Sequence, residues 1–135
     1  MELSRILVAI AIVVLSLAAL ASTGHSEAET VVITKADNGK EITVPEGSIF
    51  EVRLEQSGGT GYLWKIVDPD QEHLKVLESA DTPLSQKPNM GGPLRKTWQI
   101  KAIKVGQTEL TILLYRPWEG IEKAADRFQV KIRIG

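Results

Sequence analysis

The chain has 135 residues, a formal net charge of −1 and no cysteine. That length holds one domain. A near-neutral balance gives no electrostatic footprint for nucleic acid, and the missing thiols exclude disulfides, a lipidated cysteine and cysteine chemistry.

Residues 1–5 form a short head with one basic side chain, Arg5, and residues 6–20 are apolar except for Ser16. Ala19-Leu20-Ala21 fits the small-x-small pattern at which a secretory signal peptide is cut. The run is short for a span, which needs roughly 20 apolar residues. Residues 1–21 therefore read as a signal peptide, with an uncleaved N-terminal anchor as the other reading. Residues 22–29 read as a flexible tail and residues 30–135 as the domain. Its locale is secreted or periplasmic. Disulfides form there, yet this domain has none to use and must be held by its core alone; about 110 residues suffice for one.

The domain reads as a series of short strands with alternating apolar and polar residues. Residues 30–34 make the first, and Asp37-Asn38-Gly39 then signals a hairpin onto which residues 42–44 pair back. Val44-Pro45-Glu46-Gly47 is a turn, and Phe50, Val52 and Leu54 alternate with Glu51, Arg53 and Glu55. Residues 62–67, 74–77 and 96–102 follow as strands. Leu110, Ile112 and Leu114 mark the next, and Phe128, Val130, Ile132 and Ile134 the last. The only helical candidate after the leader is a single turn in residues 121–126. Seven or eight such strands predict an all-β, antiparallel sandwich, with a small closed barrel as the second architecture.

Strand parity then orders the loops. Taking residues 42–55 as one broken strand, successive reversals place the connections at residues 56–61, about 80–95 and 116–126 at one end of the sandwich, and the other connections at the opposite end. Three unusual segments fall on the shared end: Ser57-Gly58-Gly59-Thr60-Gly61-Tyr62, Asn89-Met90-Gly91-Gly92 and Arg116-Pro117-Trp118. Glycine permits close backbone approach, proline removes conformational freedom, and exposed Trp and Arg are the side chains most enriched at binding hot spots. Plain turns at the glycines, and Trp118 folded back as a lid, are the bland counterparts. Trp64 reads as core.

Catalysis has little support. His73 is the one histidine within the domain, and parity sets it at the far end from Ser57 and Thr60, so no hydroxyl–imidazole pair forms. Asp68, Asp70 and Glu72 supply carboxylates without the frame of a calcium loop and read as a solvated turn. No catalytic residue, metal or cofactor is expected.

Thr60-Gly61-Tyr62, Gly91-Gly92 and Arg116-Pro117-Trp118, in that order and spacing, resemble the three loops of the chagasin-like inhibitors of papain-type cysteine peptidases. The resemblance spans residues 31–134, and Arg-Pro-Trp after an apolar strand is its most specific part. The first loop of that family usually reads Asn-Pro-Thr-Thr-Gly-Tyr, of which the chain keeps Thr60, Gly61 and Tyr62 and lacks the proline. Asn89 stands where the middle loop of the family has its first glycine. The resemblance implies an immunoglobulin-like fold and a reversible, tight-binding inhibitor; nothing in the sequence demands more than a monomer. Residues 57–62, 89–92 and 116–118 would enter the peptidase cleft, with Arg116 reaching carbonyls or a carboxylate near it. The alternative from a different class is an extracellular adhesion or carbohydrate-binding module, in which Trp118 and Tyr62 stack on sugar rings.

Overall fold

The computed structural model describes residues 30–84 and 92–135; the expected signal segment and tail lie outside them. Alternation sets the elements: every second residue from Phe50 to Leu54 and from Phe128 to Ile134 is buried, as a strand with one face on a core requires. The strands are β1 (Val32–Thr34), β2 (Glu41–Val44), β3 (Ile49–Gln56), β4 (Leu63–Val67), β5 (Leu74–Pro83), β6 (Leu94–Ala102), β7 (Gly106–Tyr115) and β8 (Asp126–Ile134). Short 3₁₀ turns occupy Lys35–Asp37 and Ile121–Lys123, the second where a single helical turn was expected. One sheet has the order β1-β3-β6-β5 and the other β2-β8-β7-β4, so the fold is the predicted sandwich.

The inner faces meet in one core. Phe50, Val52 and Leu54 from β3 and Trp98, Ile100 and Ala102 from β6 pack with Leu110 and Ile112 from β7 and Phe128, Val130, Ile132 and Ile134 from β8. Fully burying one such large side chain contributes about 1.5–3 kcal/mol, and this holds the two layers together without disulfides. Trp64 and Trp98 are core residues that each carry a lysine: Lys35 Nζ lies 4.9 Å above the Trp64 ring and Lys96 Nζ 5.8 Å above the Trp98 ring. Each ammonium group also meets a carboxylate, Lys35 with Asp126 at 2.7 Å and Lys96 with Asp81 at 3.8 Å.

The N-terminal strands depart from expectation. Residues 42–44 do not pair back on the first strand. β1 runs parallel to β3 in one sheet, with Val32 opposite Glu51, and β2 runs parallel to β8 in the other, with Glu41 opposite Lys131. The reason lies in the 3₁₀ turn and in Asn38-Gly39. The Thr34 N–H donates to Asp37 Oδ2 at 3.0 Å, which winds the chain out of the first sheet. Asn38 Oδ1 then accepts from the Gln129 N–H at 2.8 Å, and the Gly39 N–H donates to the Gln129 carbonyl at 2.7 Å. Asn-Gly therefore docks the chain on β8 instead of closing a hairpin. Residues 42–55 are likewise not one strand, because the turn at Pro45 and Gly47 moves the chain from one sheet to the other. The connection between β1 and β2 consequently lies toward the same end as the three loops, not at the opposite pole.

β5 is longer than expected and the connection after it is shorter. β5 pairs with β6 from Leu74 opposite Ala102 to Pro83 opposite Leu94, with a bulge between Val76 and Glu78. The connection is thus residues 84–93. Everything in β5 after Leu74 is exposed, so no alternation marks this strand.

Parity survives for the loops that matter. Gln56 at the end of β3 and Pro83 at the end of β5 both lie opposite Leu94 at the start of β6. In the other sheet Leu63 opens β4 opposite Tyr115 and Asp126 opens β8 opposite Leu114. Connections 57–62, 84–93 and 116–125 therefore leave the same end.

Candidate functional site: a ridge of loops at one end

The first loop joins β3 to β4 across the two sheets. Gly59 and Gly61 adopt φ of 76° and 81°, a region that costs a residue with a Cβ roughly 1–2 kcal/mol. The Thr60 hydroxyl ties the bend internally: Oγ1 lies 3.4 Å from the Ser57 carbonyl and accepts from the Tyr62 N–H at 3.3 Å. The Gly58 N–H donates to the Gly92 carbonyl at 3.1 Å, joining this loop to the end of the middle one. Asn89, Met90 and Gly91 lie outside the described residues; Gly92 is the member of that segment whose place is seen.

The third loop begins where β7 ends. Arg116 accepts at its carbonyl from the Glu119 N–H at 2.9 Å, closing a turn around Pro117 and Trp118. Its guanidinium then joins the parts of the ridge. Nε donates to the Thr60 carbonyl at 2.9 Å, Nη1 donates to Glu119 Oε1 at 3.4 Å, and the group lies 4.4 Å above the Tyr62 ring. Such stacking contributes about 0.5–1 kcal/mol at an exposed site. Trp118 is 72 % exposed. It is no lid over the core; its indole instead lies on Gly61, where the absence of a Cβ makes room for the ring.

Sequence reasoning placed Ser57, Gly58, Gly59, Thr60, Gly61 and Tyr62 beside Arg116, Pro117 and Trp118, and the structure brings them together. It revises two roles. Arg116 is engaged within the ridge, with Nε and Nη1 committed to Thr60 and Glu119. Tyr62 has one ring face under that guanidinium, which takes away part of the paired aromatic platform that sugar stacking uses. Two contributors were missed. Glu119 is three residues beyond Arg116, a spacing that signals a turn-closing ion pair. Gln56 shares its parity with Phe50, Val52 and Leu54, which sets it on the inward face of β3 despite its polarity.

The opposite pole holds Asp70, Glu72 and His73, whose ligand-type atoms lie within 4.8 Å of one another; Asp68 stands outside that group. Asp70 Oδ2 meets His73 Nδ1 at 2.8 Å and accepts from Thr108 Oγ1 at 2.8 Å, and Oδ1 accepts from the Glu72 N–H at 3.1 Å. The Thr108 hydrogen bond leads the causes that hold the Asp70 carboxyl below its usual range. Both carboxylate oxygens are engaged by the protein, so the cluster ties the β4–β5 connection to β7. Topology separates His73 from Thr60 by the length of the sandwich, and the Thr60 hydroxyl is occupied within its own loop.

A family model described as Chagasin family peptidase inhibitor I42 matches residues 43–132. The chain belongs to the chagasin family. This is a family of peptidase inhibitors, not of enzymes. Chagasin from Trypanosoma cruzi is 28 % identical over 106 residues, covering 75 % of this chain and 94 % of that protein. Two solved chagasin-type structures share the fold. The cysteine protease inhibitor EhICP2 from Entamoeba histolytica has a TM-score of 0.69 at 20 % identity, over 78 % of this chain and 96 % of that one. PbICP-C, solved in complex with falcipain-2, has a TM-score of 0.52 at 23 % identity, over 83 % of this chain and 95 % of that one. The span matched by the chagasin family model contains residues 57–62, 89–92 and 116–118.

Proposed function

We propose that the chain is a reversible, tight-binding inhibitor of papain-type cysteine peptidases that plugs the active-site cleft of its target with the loop end of the sandwich. One observation carries this reading: Arg116 joins Thr60, Tyr62 and Glu119 into a single ridge from which the indole of Trp118 projects. Family membership supports it, as does the structural likeness to an inhibitor solved with falcipain-2.

The first loop, residues 57–62, lies over the catalytic thiolate of the target. Its glycine backbone approaches closely, and the turn holds its peptide bonds away from the attack geometry that cleavage requires. Trp118 fills an apolar site on one cleft wall and residues 89–92 grip the other. Few rotamers of Trp118 need freezing, so little entropy is lost on binding. The interface is of standard size, roughly 1,600 Å² in total. Arg116 keeps the ridge in shape and presents its remaining edge to the target.

The inhibitor acts outside the cytoplasm as a monomer, after removal of residues 1–21. Titration of papain with residues 22–135 tests the activity: stoichiometric, reversible loss of peptidolysis at submicromolar concentration is expected, and full activity at micromolar inhibitor refutes the reading for that enzyme. Intact-mass measurement of exported protein tests the processing, with an N-terminus at Ser22 expected.

A further inference from the structure

The inhibitory first loop lacks the proline that stiffens it elsewhere in the family, and glycine-rich bends have much backbone freedom to lose. Its internal restraints are long, at 3.3 and 3.4 Å. At its start the bend has little beneath it: Ser57, Gln56 and Trp64 border an open cleft of about 510 Å³. Arg116 and Gly92 hold its middle from the neighbouring loops; what closes its base is a crossed pair of hydrogen bonds. Gln56 Oε1 accepts from the Trp64 N–H at 3.0 Å, and Trp64 Nε1 donates to the Glu55 carbonyl at 2.9 Å. One bond runs from the β4 backbone to a β3 side chain, the other from a β4 side chain to the β3 backbone. β4 is the edge strand of its sheet, so an amide on its outer side has no strand partner and depends on such an acceptor. Gln56, 5 % exposed, is the one buried polar residue among those described.

We propose that Gln56 is a positioning residue for the inhibitory loop. Its side-chain carbonyl fixes where β4 begins relative to the end of β3, and thereby holds residues 57–62 in the shape that enters the cleft. It does the work of the absent proline by clamping the ends of the bend instead of stiffening its middle. For its effect on inhibition this rests on the function proposed above; for the shape of the loop it does not.

The test compares the wild-type protein with Gln56→Met, which keeps length and loses the acceptor, and Gln56→Glu, which keeps an acceptor oxygen in either protonation state. Association with papain is followed by stopped flow at a temperature where circular dichroism shows each variant folded. Amide hydrogen exchange is read at Trp64 against Ile112 in the core. Gln56→Met is expected to slow association about tenfold, as a loop that seldom holds its competent shape must. It should speed exchange at Trp64 about tenfold while Ile112 stays protected. Gln56→Glu should restore both. Wild-type association by Gln56→Met overturns the proposal, as does parallel acceleration at Trp64 and Ile112, which marks general destabilisation only. If Gln56→Met does not fold, a folded Gln56→Glu with an unprotected Trp64 amide also overturns it, and a protected one upholds it. If the wild-type protein leaves papain untouched, the functional reading fails, and the exchange arm still decides the role of Gln56.

Discussion

The indole of Trp118 lies against Gly61, so closely that a methyl group at position 61 would occupy space held by the ring. Gly61→Ala therefore meets two costs at once. Alanine at φ of 81° is strained by about 1 kcal/mol, and Trp118 must leave its seat. Papain inhibition by Gly61→Ala should weaken at least tenfold with the core intact. The control is a cycle with Trp118→Ala: once the indole is gone, Gly61→Ala should cost less than it does in the wild-type protein.

Trp118→Ala separates binding from folding. With 72 % of its surface in solvent, the side chain contributes little to the core, and the melting temperature should move by a degree or two at most. Affinity for papain should fall by about 2 kcal/mol, roughly thirtyfold, chiefly through faster dissociation. Surface plasmon resonance reads both rates.

Arg116→Lys tests whether the guanidinium holds the ridge together. Lysine keeps the charge and loses the planar fork that serves Thr60, Glu119 and the Tyr62 ring together. A loss of about 1 kcal/mol or more in affinity is expected, with nuclear magnetic resonance shift changes confined to residues 57–62 and 116–120. Wild-type affinity for the lysine variant would show that only the charge matters.

Acid should loosen the fold through two carboxylates. The hydrogen bond from Lys35 is the leading cause that holds Asp126 below its usual pKa, and Thr108 does the same for Asp70. A depressed folded-state pKa means stabilisation that is present above the unfolded value of 3.8 and lost as pH falls through the lowered one. The urea midpoint should therefore drop between pH 5 and pH 2. Asp126→Asn should flatten part of that drop, modestly and less so in high salt, because the Lys35–Asp126 pair is about half exposed.

Much of this was legible from residue pattern. Alternation in β3, β6, β7 and β8 exposed the core because each of these strands has one face on the other sheet. Parity alone then gathered residues 57–62 and 116–118, with Gly92, at one end. What stayed hidden has physical reasons. Asn38-Gly39 carries a hairpin signal, but its groups are used by Gln129, a partner distant in sequence. β5 is exposed on both faces after Leu74, so no period appears. Gln56 breaks an apolar series at its last position, where a polar residue reads as the start of a loop; only the cross-sheet bond to Trp64 gives it a purpose. The commitment of Arg116 to its own loops is likewise a matter of distances, and no spacing reveals it.

The parallel pairing of β2 with β8 also has a mechanical consequence. Gly135 donates to the Val44 carbonyl at one end of this pair, and Gly39 donates to the Gln129 carbonyl at the other. β2 covers one side of β8 and β7 the other, so the C-terminal strand has no open edge along which to fray. A protease that must draw the C-terminal end into its groove has to break two ladders at once, a useful property for a molecule whose working life is spent against peptidases.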